Sequence, residues 1–200
     1  MIPIQEIIGR LDSHRPALVD KPPMHQAEVA LVLDGTRTTD DPQIIFIQRS
    51  ICVDDPWSGQ MAFPGGRREE SDSQAGDAAR RETFEEIGLE LGQHQLVGRL
   101  GDLRGRHGGR SRDLLISCFV FTTPGVPPLT PNHEVSQVVS VPLSRLLDPS
   151  LQTRVQYEAV SDQGFPGIFL DKQDERVIWG LTYRFLRQFF SLLGCHLPAD

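Results

Sequence analysis

The stretch "FPGGRREESDSQAGDAARRETFEEIGL", Phe63–Leu89, decides how the rest of the chain is read. It joins a Pro-Gly-Gly turn to a helical segment in which Glu82, Glu85 and Glu86 fall within one and a half turns. Like charges at that spacing repel and weaken a helix. A cation is the simplest compensation. The spacing predicts a helix over about 74–88, with Gly88 as its stop. Ser71 and Gln74 have capping-box spacing at its start, and Asp72 and Ser73 are alternative caps. At about 100° per residue, Ala75, Ala78, Ala79, Glu82 and Glu86 share one broad face, with Glu85 beside them. The glutamates therefore line up with small residues, on a face able to lie close to other parts of the fold. One reading is a solvated acidic helix paired with Arg80 and Arg81. The other is a hard-cation site. Mg²⁺ takes oxygen ligands and is shared with substrate phosphates, and the two glycines let backbone carbonyls approach it.

Outward from this stretch, strands are expected at Ala27–Gly35, Gln43–Ser50, His94–Leu103, Asp113–Thr123 and Val135–Leu143, with a further one in "TRVQYEAV". Apolar spacing predicts an N-terminal helix over about 4–14, a short helix in "SRLLDP", and a long amphipathic helix over about 175–194. Strands among helices at three places point to an α/β fold with a mixed sheet between helices. No low-complexity linker interrupts the pattern, so residues 1–200 are expected to form a single domain. The last helix carries Ile178, Trp179, Leu181, Leu186, Phe189, Phe190 and Leu193, more apolar surface than one stripe. Core packing or a homodimer contact would use it.

Composition excludes some classes. The chain has 200 residues, 38% hydrophobic and 24% charged, enough to bury a core, and a formal net charge of −7. That balance argues against a general nucleic-acid binder, although "RGRHGGRSR", Arg104–Arg112, is a local basic loop. Cys52, Cys118 and Cys195 are scattered without a CxxC spacing and read as reduced, buried thiols of a cytoplasmic protein. The opening "MIPIQEIIGRLDSHRP" does not read as a signal peptide, and no segment has the run of about 18 apolar residues of a membrane helix.

The Gly65–Gly66 pair followed by "RETFEEIGL", Arg81–Leu89, resembles the Nudix box, G-x5-E-x7-R-E-U-x-E-E-x-G-U. Arg81, Glu82, Glu85, Glu86, Gly88 and Leu89 match its second half. There are departures: Arg81 comes one residue late counted from Gly66, Asp72 stands where the first Glu belongs, and Thr83 replaces an aliphatic residue. The resemblance implies an α/β/α sandwich and a metal-dependent pyrophosphohydrolase that cleaves a nucleoside diphosphate linked to another moiety, with Mg²⁺ or Mn²⁺ as cofactor. It implies Glu82 and Glu86 as main metal ligands, with Glu85 and the Gly65 carbonyl as further ones. Arg81 would orient the carboxylates, with Asp72 as its partner. The general base is Glu82 or, from a later loop, Glu134; otherwise Glu134 is an exposed acid at a strand end.

Upstream, "FIQRS" and "DPWSGQMAFPGGR", Phe46–Ser50 and Asp55–Arg67, resemble the signature of the coenzyme A pyrophosphatases within that family. Gly59, Gln60, Ala62, Phe63, Pro64, Gly65 and Gly66 match it. This implies cleavage of coenzyme A or acyl-CoA to 3′,5′-ADP and (acyl-)4′-phosphopantetheine. Arg49, Gln60, Gly66 and Arg67 become candidate substrate contacts. Arg104 and Arg106 join them as phosphate forks, unless their loop is a solvated hairpin tip. Trp57 either stacks on adenine or plugs the loop base, and the plug is the expectation. The rival readings are a Nudix hydrolase for ADP-ribose, dinucleotides or NADH, a nucleotide sensor without turnover, and a nucleic-acid binder resting on the Arg104–Arg112 loop alone.

Overall fold

The structure, a computed structural model, describes residues 2–36, 38–53, 57–107, 111–156 and 164–199. After helix α1 (Ile4–Ser13) come strands β1 (His25–Asp34), β2 (Gln43–Arg49), β3 (Met61–Ala62) and β4 (Gly65–Arg67), then helix α2 (Asp77–Ile87). Strands β5 (Leu96–Arg99), β6 (Leu103–His107), β7 (Ser111–Thr123) and β8 (Val135–Pro142) follow, then the short helix α3 (Leu143–Leu146). Strands β9 (Gln152–Val155), β10 (Phe165–Asp171) and β11 (Asp174–Trp179) lead into helix α4 (Gly180–Leu192).

The main sheet is mixed, as expected. Parallel pairing of β1 with β7 runs from His25↔Leu114 to Asp34↔Thr123, and the other pairings are antiparallel. Both faces of β1 are covered, so Ala30–Leu33 is a continuous buried run. Leu31 and Leu33 pack with Ile44 and Phe46 beneath α1 and α4. Ala30 and Val32 pack with Ile45, Ile47, Ala79 and Ile87 beneath α2. This is the α/β/α layering that the box resemblance implies.

One irregularity places the site. Strand β1 pairs with β2 only over Val32–Asp34 and with β4 over Ala27–Val29. Strand β2 likewise leaves β1 after Ile45 and pairs with β3 at Ile47–Gln48. The β3–β4 hairpin is thus a wedge where β1 and β2 splay apart. Gly65 is required there: its φ is +145°, and a Cβ would lie 2.3 Å from the Glu28 carbonyl oxygen.

Several boundaries differ from the sequence reading. Helix α2 starts at Asp77 behind Gly76, not near Gln74, and Ala75 is exposed outside it. The expected helix over 175–194 is split: Asp174–Trp179 pairs with β10, and Gly180 at φ +63° turns the chain into α4. β-branched Val177 and Ile178 suit a strand once β10 offers a partner. The strand expected at His94–Leu103 is broken into a 3₁₀ turn, β5 and the start of β6. Strands β9, β10 and β11 form a second, three-stranded sheet whose Ile168 and Ile178 join the α4 core. Only Cys118 of the three free cysteines is buried; Cys52 is exposed. Ile178, Leu186, Phe189 and Phe190 are fully buried within the one chain, so their apolar surface is core. No helix among the described residues is long and apolar enough to cross a membrane.

Candidate active site

Two contacts fasten the wedge to α2. The Gly65 N–H donates to Glu86 Oε2 at 2.8 Å. A Cβ on Gly66 would stand 2.4 Å from the Glu82 carboxylate, so that carboxylate lies directly over the glycine backbone. Glu82 is half-buried and Glu86 only 2% exposed, while Glu85 is exposed. Burial pushes the Glu82 carboxyl up, and Glu85 and Glu134 add repulsion, against the pull of Arg81. Burial likewise raises Glu86, to about 7, with further repulsion from Glu82 and Glu134, against the Gly65 N–H and Arg49. Arg49 and Glu134 therefore sit close enough for their charges to act on Glu86.

Arg81 organises the carboxylates. Its guanidinium donates to Asp72 Oδ2 at 3.1 Å, Glu82 Oε1 at 3.0 Å, Glu85 Oε2 at 3.1 Å and the Arg67 carbonyl at 2.9 Å. The hydrogen bond to Asp72, then the Glu82 charge, hold its pKa above the usual arginine value. Burial alone would raise Asp72; the Arg81 hydrogen bonds and the Glu69 N–H outweigh it and leave the carboxyl lowered. Asp72 is thus short enough to receive Arg81 from a longer loop. The buried Thr83 hydroxyl donates to the Ala79 carbonyl at 2.6 Å, which lets a polar residue fill an apolar position.

The loop that brings Glu134 is built on the end of α2. Thr130 and Asn132 N–H groups donate to the carbonyls of Ile87 and Glu86 at 2.9 Å each. Ser50 N–H then donates to the Glu134 carbonyl at 2.8 Å, tying this loop to the end of β2 just past Arg49. Gln60 joins through its carbonyl, which accepts from Arg49 N–H at 3.0 Å. Glu82, Glu85, Glu86, Arg81, Gly65, Gly66, Arg49, Gln60 and Glu134 are therefore gathered around the wedge. Arg67 contributes its carbonyl to Arg81, and its side chain is exposed.

Other candidates are not gathered. Arg104 stands exposed on β6, and β7 and β1 separate β6 from β4. That is three strand spacings, about 14 Å. The Arg106 side chain, residues 108–110 and Asp55 lie outside what the structure describes. Trp57 is 36% exposed, and the loop residues 54–56 beside it lie outside what the structure describes.

Two residues were missed. Glu28, buried in β1, accepts from the Ala78 N–H at 3.1 Å and supplies the cap that Gly76 cannot. Arg68 lies 3.6 Å from Glu28 and donates to the Asp72 carbonyl. The available signal was one acid inside the otherwise apolar "AEVALVL", Ala27–Leu33.

Among the described residues, no three His, Cys, Asp or Glu side chains converge closely enough to enclose a metal ion. Glu86 faces the Gly65 N–H, and Glu82 and Glu85 face Arg81. The donor chemistry nonetheless fits a hard cation: carboxylate oxygens and glycine backbone, with two carboxyls raised by burial and mutual repulsion that a divalent ion would relieve.

Comparison with known proteins agrees with this geometry. The model of the NUDIX domain matches residues 24–163. An uncharacterized protein of Schizosaccharomyces pombe is 33% identical over 167 residues, covering 74% of this chain and 51% of its own, so the chain spans about half the length of that relative. The Nudix hydrolase NudL of Escherichia coli is 23% identical over 191 residues, 96% of this chain and 95% of NudL. A MutT/nudix family protein from Enterococcus faecalis shares the fold, with a TM-score of 0.59 at 16% identity over 96% of this chain and 69% of that one. With the wedge, the carboxylate helix and the matched domain in register, the chain belongs to the Nudix hydrolase family.

Proposed function

We propose that the chain hydrolyses the diphosphate of coenzyme A or an acyl-CoA, releasing 3′,5′-ADP and 4′-phosphopantetheine or its acyl form. The observation that carries the hydrolytic part is the seating of Glu82 and Glu86 against the Gly65–Gly66 backbone. The substrate part rests on the run Gly59-Gln60-Met61-Ala62-Phe63-Pro64-Gly65-Gly66, which forms that wedge. We read residues 1–200 as one domain, because Ile4 and Leu193 share a core.

Glu82 and Glu86 would hold Mg²⁺ or Mn²⁺, with Glu85 and the Gly65 carbonyl as further donors. When bound, the ion would offset the diphosphate charge, acidify water and stabilise the leaving phosphate. Arg81 holds Glu82 and Glu85 in place until then, through charge-assisted bonds. Arg49 offers a fixed positive charge beside the carboxylates for the substrate phosphates. Gly66 lies at the same wall, and Gln60, whose backbone N–H and carbonyl are taken by the Trp57 carbonyl and the Arg49 N–H, would contribute its side chain. Water adds to one phosphorus, the bridging P–O bond breaks, and the water's proton goes to a carboxylate. Glu134 suits that role better than Glu82: it is exposed, and Glu82 is engaged by Arg81. Arg67, Arg104 and Arg106 are the reserve for the 3′-phosphate.

The test is incubation with Mg²⁺ or Mn²⁺ and CoA, acetyl-CoA, ADP-ribose, NADH or a diadenosine polyphosphate, with products identified by mass and Glu86→Gln as control. Release of 3′,5′-ADP from CoA, absent in the variant, is the expected result. Preferential cleavage of ADP-ribose or NADH would overturn the substrate and leave the hydrolase. Nucleotide binding without cleavage of any would overturn the hydrolase.

A further inference from the structure

Glu134 lies in a turn just before β8, and its side chain is exposed. Packing therefore does not aim it; its backbone must. Half-buried Asn132 supplies the bracket with three of its groups. Its N–H donates to the Glu86 carbonyl at 2.9 Å, and its carbonyl accepts from the Val135 N–H at 3.3 Å. Its side-chain Oδ1 accepts from the Glu134 N–H at 2.8 Å, which closes an Asx turn. One residue thus ties the backbone of Glu86 to the backbone of Glu134.

A β-bulge fixes the other side of Glu134. Strands β2 and β8 pair regularly from Gln43↔Pro142 to Gln48↔Gln137, but Arg49 then faces Val135, so Ser136 is an extra residue. Without it, alternation would put Val135 on the face of Val139 and Val141, in the core beneath α4. With it, Val135 packs instead with Ile45, Ile47, Ile87 and Leu89, against α2. The Ser136 hydroxyl closes the bulge by donating to the Gln48 carbonyl at 3.1 Å. Val135 is only 5% exposed, so this end of β8 is anchored to the layer that carries Glu82 and Glu86. Between the anchored Val135 and the bracketing Asn132, the Glu134 backbone has little freedom left.

We propose that Asn132 is a positioning residue for the hydrolysis: its carboxamide oxygen holds the Glu134 backbone, and through it the carboxylate that takes the water's proton. This rests on the reading of Glu134 as the base. The other two Asn132 bonds are made by its backbone and survive replacement of the side chain. Asn132→Ala therefore removes the Oδ1 contact alone, and the freed Glu134 N–H lies in an exposed turn where water can satisfy it.

The test is a double-mutant cycle of kcat and KM for Asn132→Ala and Glu134→Gln, on the diphosphate of the panel above that the wild type cuts fastest, with urea unfolding to verify that each variant folds. Misplacing a catalytic group by about 1 Å costs up to about a hundredfold, so Asn132→Ala should lower kcat about tenfold or more with KM little changed. Added to Glu134→Gln, it should lower kcat no further than about twofold, because the group it positions is already gone. Asn132→Asp keeps the acceptor oxygen and should restore most of the rate. Unchanged kcat in Asn132→Ala beside an impaired Glu134→Gln would overturn the role and leave Glu134 as the base. Equal losses in both backgrounds, or as large a loss in Asn132→Asp as in Asn132→Ala, would also overturn it. Full activity of Glu134→Gln, or no cleavage by the wild type, would overturn the underlying reading of Glu134 and the role of Asn132 with it.

Discussion

Replacing Gly66 with alanine should separate activity from stability. The new Cβ would lie 2.4 Å from both Cδ and Oε1 of Glu82. Ordinary carbon contacts need about 3.5 Å, so the carboxylate must retreat by about 1 Å. The obstructing atoms are the end of a flexible side chain, and Gly66 is not among the positive-φ glycines, so the backbone tolerates alanine. Folding therefore changes little, and the stiffer unfolded chain offsets part of the contact by about 0.4–1 kcal/mol. Catalysis should not survive so easily. A displacement of about 1 Å at a reacting centre costs on the order of a hundredfold, or about 2.7 kcal/mol in the barrier. Gly65→Ala is the contrast. Its Cβ would meet backbone, the Glu28 carbonyl at 2.3 Å and Val29 Cα at 2.6 Å, at φ +145°. Strain and overpacking there should cost about 2–6 kcal/mol. Steady-state rates on CoA beside urea unfolding measure both effects. If Gly66→Ala keeps more than a third of wild-type kcat, or loses as much stability as Gly65→Ala, the placement of Glu82 by Gly66 is wrong.

Three further outcomes follow from the same contacts. Glu28→Ala removes the cap of α2 and the partner of Arg68, and should cost about 2 kcal/mol by urea unfolding, whereas Glu28→Gln keeps an acceptor and should cost less than half as much. The Asp77 carboxyl is held below its usual value by the Gln74 N–H and then by Arg80. Its stabilisation is present above the unfolded pKa and lost as pH falls through the folded one, so the deficit of Asp77→Asn, about 1 kcal/mol at neutral pH, should shrink as pH drops below about 4. Glu85→Gln, at an exposed position paired only with Arg81 in the hydrogen bonds described, should change stability by no more than about 0.5 kcal/mol.

The carboxylate face was legible in sequence because its spacing is local: one helix carries Arg81, Glu82, Glu85 and Glu86, and one hairpin carries Gly65 and Gly66. The start of that helix was not. Ser71, Asp72 and Ser73 all look like caps, yet Asp72 serves Arg81, and the cap comes from Glu28, some fifty residues earlier in the chain. Only the folded sheet brings Glu28 there. The strand β11 was hidden for a related reason. Its apolar residues fit a helical period until β10 offers hydrogen-bond partners, and β10 itself, "FPGIFLD", carries a proline and a glycine that disguise it. The wedge between β1 and β2 left no periodic trace at all. It is visible only in register, where each strand exchanges one partner for another part-way along.

The central claim is that the face formed by Glu82, Glu86 and the Gly65–Gly66 turn holds a divalent cation. Mn²⁺ titration followed by electron paramagnetic resonance, on the wild type and Glu86→Gln without substrate, tests it without reliance on turnover. The account predicts saturable binding in the wild type, weakened about tenfold or more in Glu86→Gln while the variant remains folded. Equal Mn²⁺ affinity in the two proteins would contradict it.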